Sequence, residues 1–372
     1  MWLISLILLF LQTIFSNMKQ ILTLSILMLT FATSIAQPAK WNNKQFFTIM
    51  SYNVENLFDT INTEGKNDVE FTPTGKKNWT SARYNEKLQH LAEVIAAINP
   101  TNEQFPDIVA IVEAENIDVL RALASQPAIS NANYKCILEE GPDSRGIDCG
   151  LMYNPKTFNY LSHRAINVRL RPNNQRTRDI LYVKGLSGKD TLHIFVNHWS
   201  SRIGGVEKTA NKRNQCADAL KQITDSILKK DPQSNIMIMG DFNDEPDNES
   251  VYEILEAKEP SRYSKLNNIM YDLQQKNKGK FGSGTYYYKG IYSMLDNLIV
   301  SRQLLTRTKG FRIYNEYDNS KKQEYPTGYI FSPDFISFTN NNGDKEPSRS
   351  YSGKYYGGYS DHYPVYMIFY KK

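Results

Sequence analysis

NIMIMGDFN, residues 235–243, is a short apolar run that stops on a glycine, an acid and an amide. A run of four to eight apolar residues bounded by polar punctuation reads as a buried central strand. The same device recurs in both directions. Upstream, TLHIFVNHW (191–199) ends on Asn197 and His198, PDIVAIVEAEN (106–116) carries Glu113, and FFTIMSYNVEN (46–56) carries Asn53. Downstream, MLDNLIVS (294–301) opens with Asp296, and GYSDHYPVYMIFY (358–370) opens with Asp361 and His362.

Helical periodicity falls between these runs. Tyr84, Leu88, Leu91, Ile95 and Ile98 recur at steps of three and four, which predicts an amphipathic helix over residues 81–98, stopped by Pro100. Ala217, Leu220, Ile223 and Ile227 predict a second helix over residues 207–230. Strands that alternate with helices and read as buried give an α/β layered domain. Residues 311–358 are polar and rich in Tyr, Gly and Asn, and read as a long loop or insertion beside the site.

At 372 residues the chain has room for one large α/β domain or two small ones. A net charge of +5 permits a polyanionic substrate without arguing for one. The first 36 residues stand apart. Two apolar runs flank Asn17, Met18, Lys19 and Gln20, and from Met18 the sequence reads as a basic start, an apolar stretch and a small-residue cleavage site at Ser34 and Ala36. The expectation is translation from Met18, cleavage after Ala36, and an exported, periplasmic or secreted chain of residues 37–372 forming one catalytic domain. An uncleaved membrane anchor is the alternative. Cys136 and Cys149 flank an expected hairpin, either bridged or as buried thiols, and no cysteine spacing suggests zinc.

One strand-end Asn or Asp usually caps a turn. Six such ends in a layered α/β sheet can converge on one crevice. Together they would offer carboxylates, amides and two imidazoles without a thiolate. Oxygen-rich sets of that kind suit Mg²⁺, Mn²⁺ or Ca²⁺.

The order of these pieces resembles the endonuclease/exonuclease/phosphatase superfamily across most of the chain, from Asn53 to His362. GDFN (240–243) and SDH (360–362) are its specific parts; RGID (145–148), NHWSSR (197–202) and GGYSDHYPV resemble an exported bacterial branch. The resemblance implies an α/β four-layer sandwich, two mixed β-sheets packed face to face with helices outside. It implies Glu113 as principal metal ligand with Asn53 and Asp361 nearby, and His362 as general base held by Asp296. Asp241 then positions or activates the nucleophile, while Asn243 and His198 donate to phosphate oxygens. Where the superfamily commonly has LQE, this chain has Ile111-Val112-Glu113. Glu115 is a rival ligand, because residues two apart in a strand share a face.

Local reading adds four residues. Asp148 either orients His198 or closes its hairpin as a turn residue. Arg213 precedes the Cys216/Ala217 stripe by one turn, so it should point inward and take a phosphate or a carboxylate. Arg178 and Arg202 are candidates for substrate phosphate, or solvated surface arginines. His90, His163 and His193 receive no role. The functions in contention are a Mg²⁺-dependent nuclease on DNA or RNA, a phosphodiesterase or phosphatase for lipid head groups or small phosphoesters, and an inactive binding module. A monomer without stable membrane insertion is expected. Tyr351, Tyr355, Tyr356 and Tyr359 offer a stacking surface for bases, with loop packing as the alternative.

Overall fold

The computed structural model describes residues 46–99, 105–277, 284–318 and 323–371. The leader, its cleavage site and Pro100 lie outside the described residues. Among the described residues no helix is long and apolar enough to cross a membrane.

The apolar runs become the middle strands of two seven-stranded sheets. In the first sheet β1 (Phe46–Leu57) pairs in parallel with β2 (Ile108–Ala114), and β2 continues antiparallel to β4 (Asp148–Tyr153) and then β3 (Lys135–Leu138). On the other side of β1 the last strand, β16 (Val365–Lys371), runs antiparallel, bordered by β14 (Phe311–Ile313) and β15 (Tyr329–Ile330). The second sheet runs β9 (Ala257–Lys258), β10 (Leu266–Asn268), β13 (Asp296–Ser301), β8 (Asn235–Asp241), β7 (Asp190–His198), β6 (Ile180–Ser187), β5 (Asn159–Ile166).

Side-chain alternation along each strand sorts the core into three layers. Phe47, Ile49, Ala110 and Val112 from the first sheet meet Ile194, Val196, Met237 and Leu298 from the second. The opposite face of the first sheet, with Met50, Tyr52 and Val109, is covered by Leu88, Leu91 and Ile95 of helix α1 (Ser81–Ala97) and by helix α2 (Ile117–Ala124). The outer face of the second sheet packs Phe195, Ile236 and Ile238 against Cys216, Ala217 and Leu220 of helix α3 (Val206–Lys230). The result is helix, sheet, sheet, helix, the four layers expected. Both faces of each central strand are covered, so the runs are apolar without alternation.

Several sequence expectations change. Residues 311–358 are not a bare loop: Phe311 is buried in the inter-sheet core, and short hairpins such as Ser337–Thr339 with Lys345–Pro347 fill the stretch. Cys136 and Cys149 are free, since the register sets Cys136 against Met152 and Cys149 against Val112. Of the four tyrosines, two are committed to packing on α1. Tyr355 donates to Glu86 and lies under Arg83, and Tyr359 stacks on His90 at 4.5 Å. His90 therefore faces the Tyr359 loop, not open solvent.

Candidate active site

Strand polarity brings the six polar ends to one edge. Strands β7 and β8 are parallel and place His198 beside Asp241; β13 is antiparallel to β8, so its first residue, Asp296, pairs with Asp241 from the other side. Gly240 permits this close approach. Its φ is +131°, and a Cβ there would sit 2.0 Å from the Asn197 carbonyl oxygen. Asn197 itself turns inward, donating to Phe195 O and Met239 O.

The first sheet delivers its groups through irregular backbone. Strand β2 is bulged between Val112 and Ala114, and Glu113 between them has φ +72°. A bulge re-aims the side chain it carries. Glu113 Oε2 accepts from Asn56 N at 3.0 Å, and Oε1 stands 3.6 Å from His198 Nε2. The bulge also separates Glu113 from Glu115, overriding the shared face that simple alternation predicts. Glu115 is buried elsewhere, accepting from Asp59 N (2.8 Å) and Thr63 Oγ1 (3.0 Å), where it ties down the loop after β1.

Asp241 is the hub. Its Oδ1 accepts from Asn243 N (2.8 Å), and Oδ2 accepts from Asn53 Nδ2 (3.1 Å) and more weakly from Asn243 Nδ2 (3.4 Å). The Nε2 atoms of both His198 and His362 stand 3.8 Å from Oδ2. The other nitrogen of His362 bonds Asp296 Oδ2 at 2.7 Å, and Tyr286 covers the ring at 4.8 Å between centroids. Ser360 joins this segment to β1, donating to Asn53 O at 2.7 Å while accepting from His362 N at 3.1 Å. The serine of SDH therefore ties the loop before β16 to the neighbouring strand β1 of the same sheet.

Burial pushes the Asp241 carboxyl up to about 6, with Asp296 adding to the rise and His362 opposing it. Burial alone would push His362 down, but the carboxylates of Asp296, Asp241 and Asp361 prevail and hold it up at about 10. At neutral pH those values favour the imidazolium of His362 and the carboxylate of Asp241. His198 is driven well below its ordinary value by burial and by Arg178 and Arg145, so it is neutral. Asp361 is pushed up to about 7 by burial and by the nearby Glu55 and Glu113 carboxylates.

Glu55, Glu113 and Asp361 form an acidic crowd for which Lys87 is a buried cation from α1. Lys87 donates to Ser350 Oγ (3.0 Å) and Tyr359 O (2.6 Å), 3.8 Å from Glu55 Oε2. Glu55 in turn accepts from Ser350 N and Tyr351 N. Neither residue was singled out from the sequence. Among the described residues, no three His, Cys, Asp or Glu side chains form a ready cage for a metal ion. A hard cation needs no such cage, since it takes one or two carboxylates and keeps its waters. Glu113, Asp361 and the Asn53 carbonyl are the oxygen donors available to it.

The expected substrate contacts fare differently. Arg213 does point inward and takes a carboxylate: it is 1% exposed and pairs with Asp244 at 2.7 Å, which leaves no surface for a phosphate. Arg178 is buried too, gripping His198 O (3.1 Å), Trp199 O and Asp143 (2.8 Å). Arg202 donates to Asn243 O (2.6 Å) and Asn248 Oδ1 (3.0 Å). These three arginines brace the loops that carry His198 and Asn243. Asn243 spends its amide on Trp199 O (3.1 Å) and Asp241, so it orients Asp241 where a free phosphate donor was expected. Asp148 closes its hairpin by accepting from Gly141 N (2.9 Å) and makes no hydrogen bond to His198; Asp148 Oδ2 and His198 Nδ1 each lack a partner among the described residues. His163 and His193 sit in separate pairs, with Glu139 and Tyr160, and with Tyr182.

Residues 48–371 match the sequence profile of the Endonuclease/Exonuclease/phosphatase family. No curated protein matches the chain. Among solved structures, humanized D. rerio TDP2 carrying 14 mutations is 14% identical, with 87% of this chain and 98% of that chain covered and a TM-score of 0.51. The human Nocturnin catalytic domain with bound sulfate is 15% identical, covering 89% and 98%, at 0.51. D. rerio TDP2 complexed with a single-strand DNA product is 15% identical, covering 87% and 98%, at 0.50. Likeness at these identities speaks for the fold.

Proposed function

The chain belongs to the endonuclease/exonuclease/phosphatase family, whose members carry out phosphodiesterase or nuclease-type hydrolysis and are typically divalent-metal dependent, and from that premise we propose that it is an exported Mg²⁺-dependent phosphodiesterase acting on nucleic acid. The observation that carries the reading is Asp241, held by Asn53 and Asn243 and set between two imidazoles, the neutral His198 and the cationic His362.

Glu113, Asp361 and Asn53 would hold the cation, which supplies neutralisation of charge on the phosphate oxygens. The chain's own residues do the rest. Asp241, ionised at neutral pH and fixed by three N–H donors, accepts the proton of the attacking water. His362, kept cationic by Asp296, offers Nε2–H to the oxygen on which charge develops. Neutral His198 presents Nε2 to the same space. Preorganised donors of this kind contribute on the order of 10²–10³ in rate each.

Nucleic acid is the first substrate to try, because D. rerio TDP2 of the same fold holds single-strand DNA product. A lipid diester is the second reading, favoured by the exposed Tyr288 and Ile291 on the hairpin of β11 (Tyr286–Tyr288) and β12 (Ile291–Ser293), whose Tyr286 bridges to His362. Hydrolysis of plasmid DNA, RNA, sphingomyelin and bis(p-nitrophenyl) phosphate, in Mg²⁺ and in EDTA, separates them. Metal-dependent cleavage of nucleic acid supports the proposal. Cleavage of sphingomyelin alone favours the lipid reading, and no cleavage by folded protein overturns both.

A further inference from the structure

Behind the chain that follows His198 lies a cavity of about 300 Å³, which no step above uses. Arg176, Arg178 and Lys212 line it against one carboxylate, Asp143. That carboxylate is spent: Arg178 Nη1 binds it at 2.8 Å and Arg145 Nε approaches at 3.5 Å. Lys212, exposed on α3, makes no ion pair with any described residue, and Arg176 touches only Asp179, at 3.1 Å. With Arg178 on Asp143 and Arg176 on Asp179, Lys212 leaves the lining one uncompensated positive charge, and Ser200 and Ser201 also line it.

This cavity and the catalytic edge share a partition. The Trp199 carbonyl accepts from Asn243 Nδ2 on the catalytic side and from Arg178 Nη2 on the cavity side. Ser201 follows His198 by three positions, a reach of at most ~10 Å. In a duplex the phosphates of one strand rise about 3.4 Å along the axis per nucleotide, and an extended single strand spaces them further apart, so that reach spans no more than about three nucleotides. A volume near the lower end of ligand pockets, roughly 300–1,000 Å³, has space for a phosphate and its sugar.

We propose that this cavity is a subsite for a second backbone phosphate of a single-stranded nucleic acid, one to three nucleotides from the bond being cut. The proposal rests on the phosphodiesterase reading and deepens it. A lone diester fills the catalytic edge; a second anion site serves a substrate whose charge repeats. Lys212 and Arg176 are positioned to make that contact, while Arg178 belongs to the scaffold behind His198.

The test compares Lys212→Glu and Arg176→Gln with wild type on two substrates, bis(p-nitrophenyl) phosphate with its single phosphate and a ten-residue oligothymidylate. The subsite requires KM for the oligonucleotide to rise by about tenfold in Lys212→Glu with kcat retained. It also requires the slope of log affinity against log salt to shrink by roughly 0.7. The small diester should be cleaved as by wild type. Equal effects on both substrates, or none on either, overturn the subsite. If wild type cleaves neither, the phosphodiesterase reading fails separately. Fluorescence anisotropy of the labelled oligonucleotide then still decides: weaker binding to Lys212→Glu upholds the cavity as an anion site, and unchanged binding refutes it.

Discussion

Replacing Asp296 by asparagine removes one charge from the His362 pair and keeps its shape. The two groups meet at 2.7 Å, which puts their charge centres ~4 Å apart. At an effective dielectric near 20 that interaction is about 4 kcal/mol, or ~3 pH units. His362, now held up at about 10, should therefore fall to ~7. If the imidazolium is the working form, activity falls as pH climbs past that value. In wild type the descending limb should then lie near 10 and the ascending limb near the Asp241 value of about 6. In Asp296→Asn the descending limb moves to ~7, so kcat drops about fivefold at about pH 8 and ~50-fold at about pH 9 relative to its own value at about pH 6, where about half of Asp241 is ionised. The assay is kcat against pH on bis(p-nitrophenyl) phosphate in saturating Mg²⁺. If neutral His362 were the working base, the substitution would instead move the ascending limb to lower pH. That result, or a descending limb left near 10, refutes the reasoning.

Other substitutions probe separate parts. Asp241→Ala and His362→Ala should each lower kcat by roughly 10²–10⁴ with thermal stability retained; near-normal turnover in either removes that residue from the chemistry. Lys87→Met leaves Glu55 buried without its cation and should cost ~3–5 kcal/mol in urea unfolding, a cost that an unchanged midpoint would contradict. Glu115 is raised by burial to about 7, so the folded state prefers its protonated form. The stability it contributes is complete below its unfolded value, ~4.3, and is lost as pH rises through about 7. Glu115→Gln should then gain in Tm on wild type between about pH 5 and about pH 8; a constant difference would show that Glu115 does not titrate in this window.

The central strands and their polar ends were legible because each is a local signal, an apolar run meeting a polar stop. Convergence was legible only as a possibility, since it depends on strand order, and β8 meets β7 and β13 from opposite directions in sequence. The helical spacing showed that Arg213 faces inward, but the partner, Asp244, lies on another element. Nothing local marks Glu113 for φ +72°, because the position holds no glycine, and so Glu115 looked like a rival on the same face. Lys87 was hidden by its own pattern. It sits beside Leu88 on a helix where lysine normally reads as solvated, and its partners Ser350, Tyr359 and Glu55 all lie on distant stretches of the chain. Residues 311–358 read as loop because their strands are two to four residues long and carry too little periodicity to be seen.

The most direct measurement is the rate of bis(p-nitrophenyl) phosphate hydrolysis by purified residues 37–372, as wild type and as Asp241→Asn, in Mg²⁺ and then in EDTA. The account predicts hydrolysis by wild type that stops on chelation and returns with Mg²⁺, and an Asp241→Asn protein that is folded and nearly inert. Hydrolysis that survives both chelation and loss of the Asp241 carboxylate would contradict it.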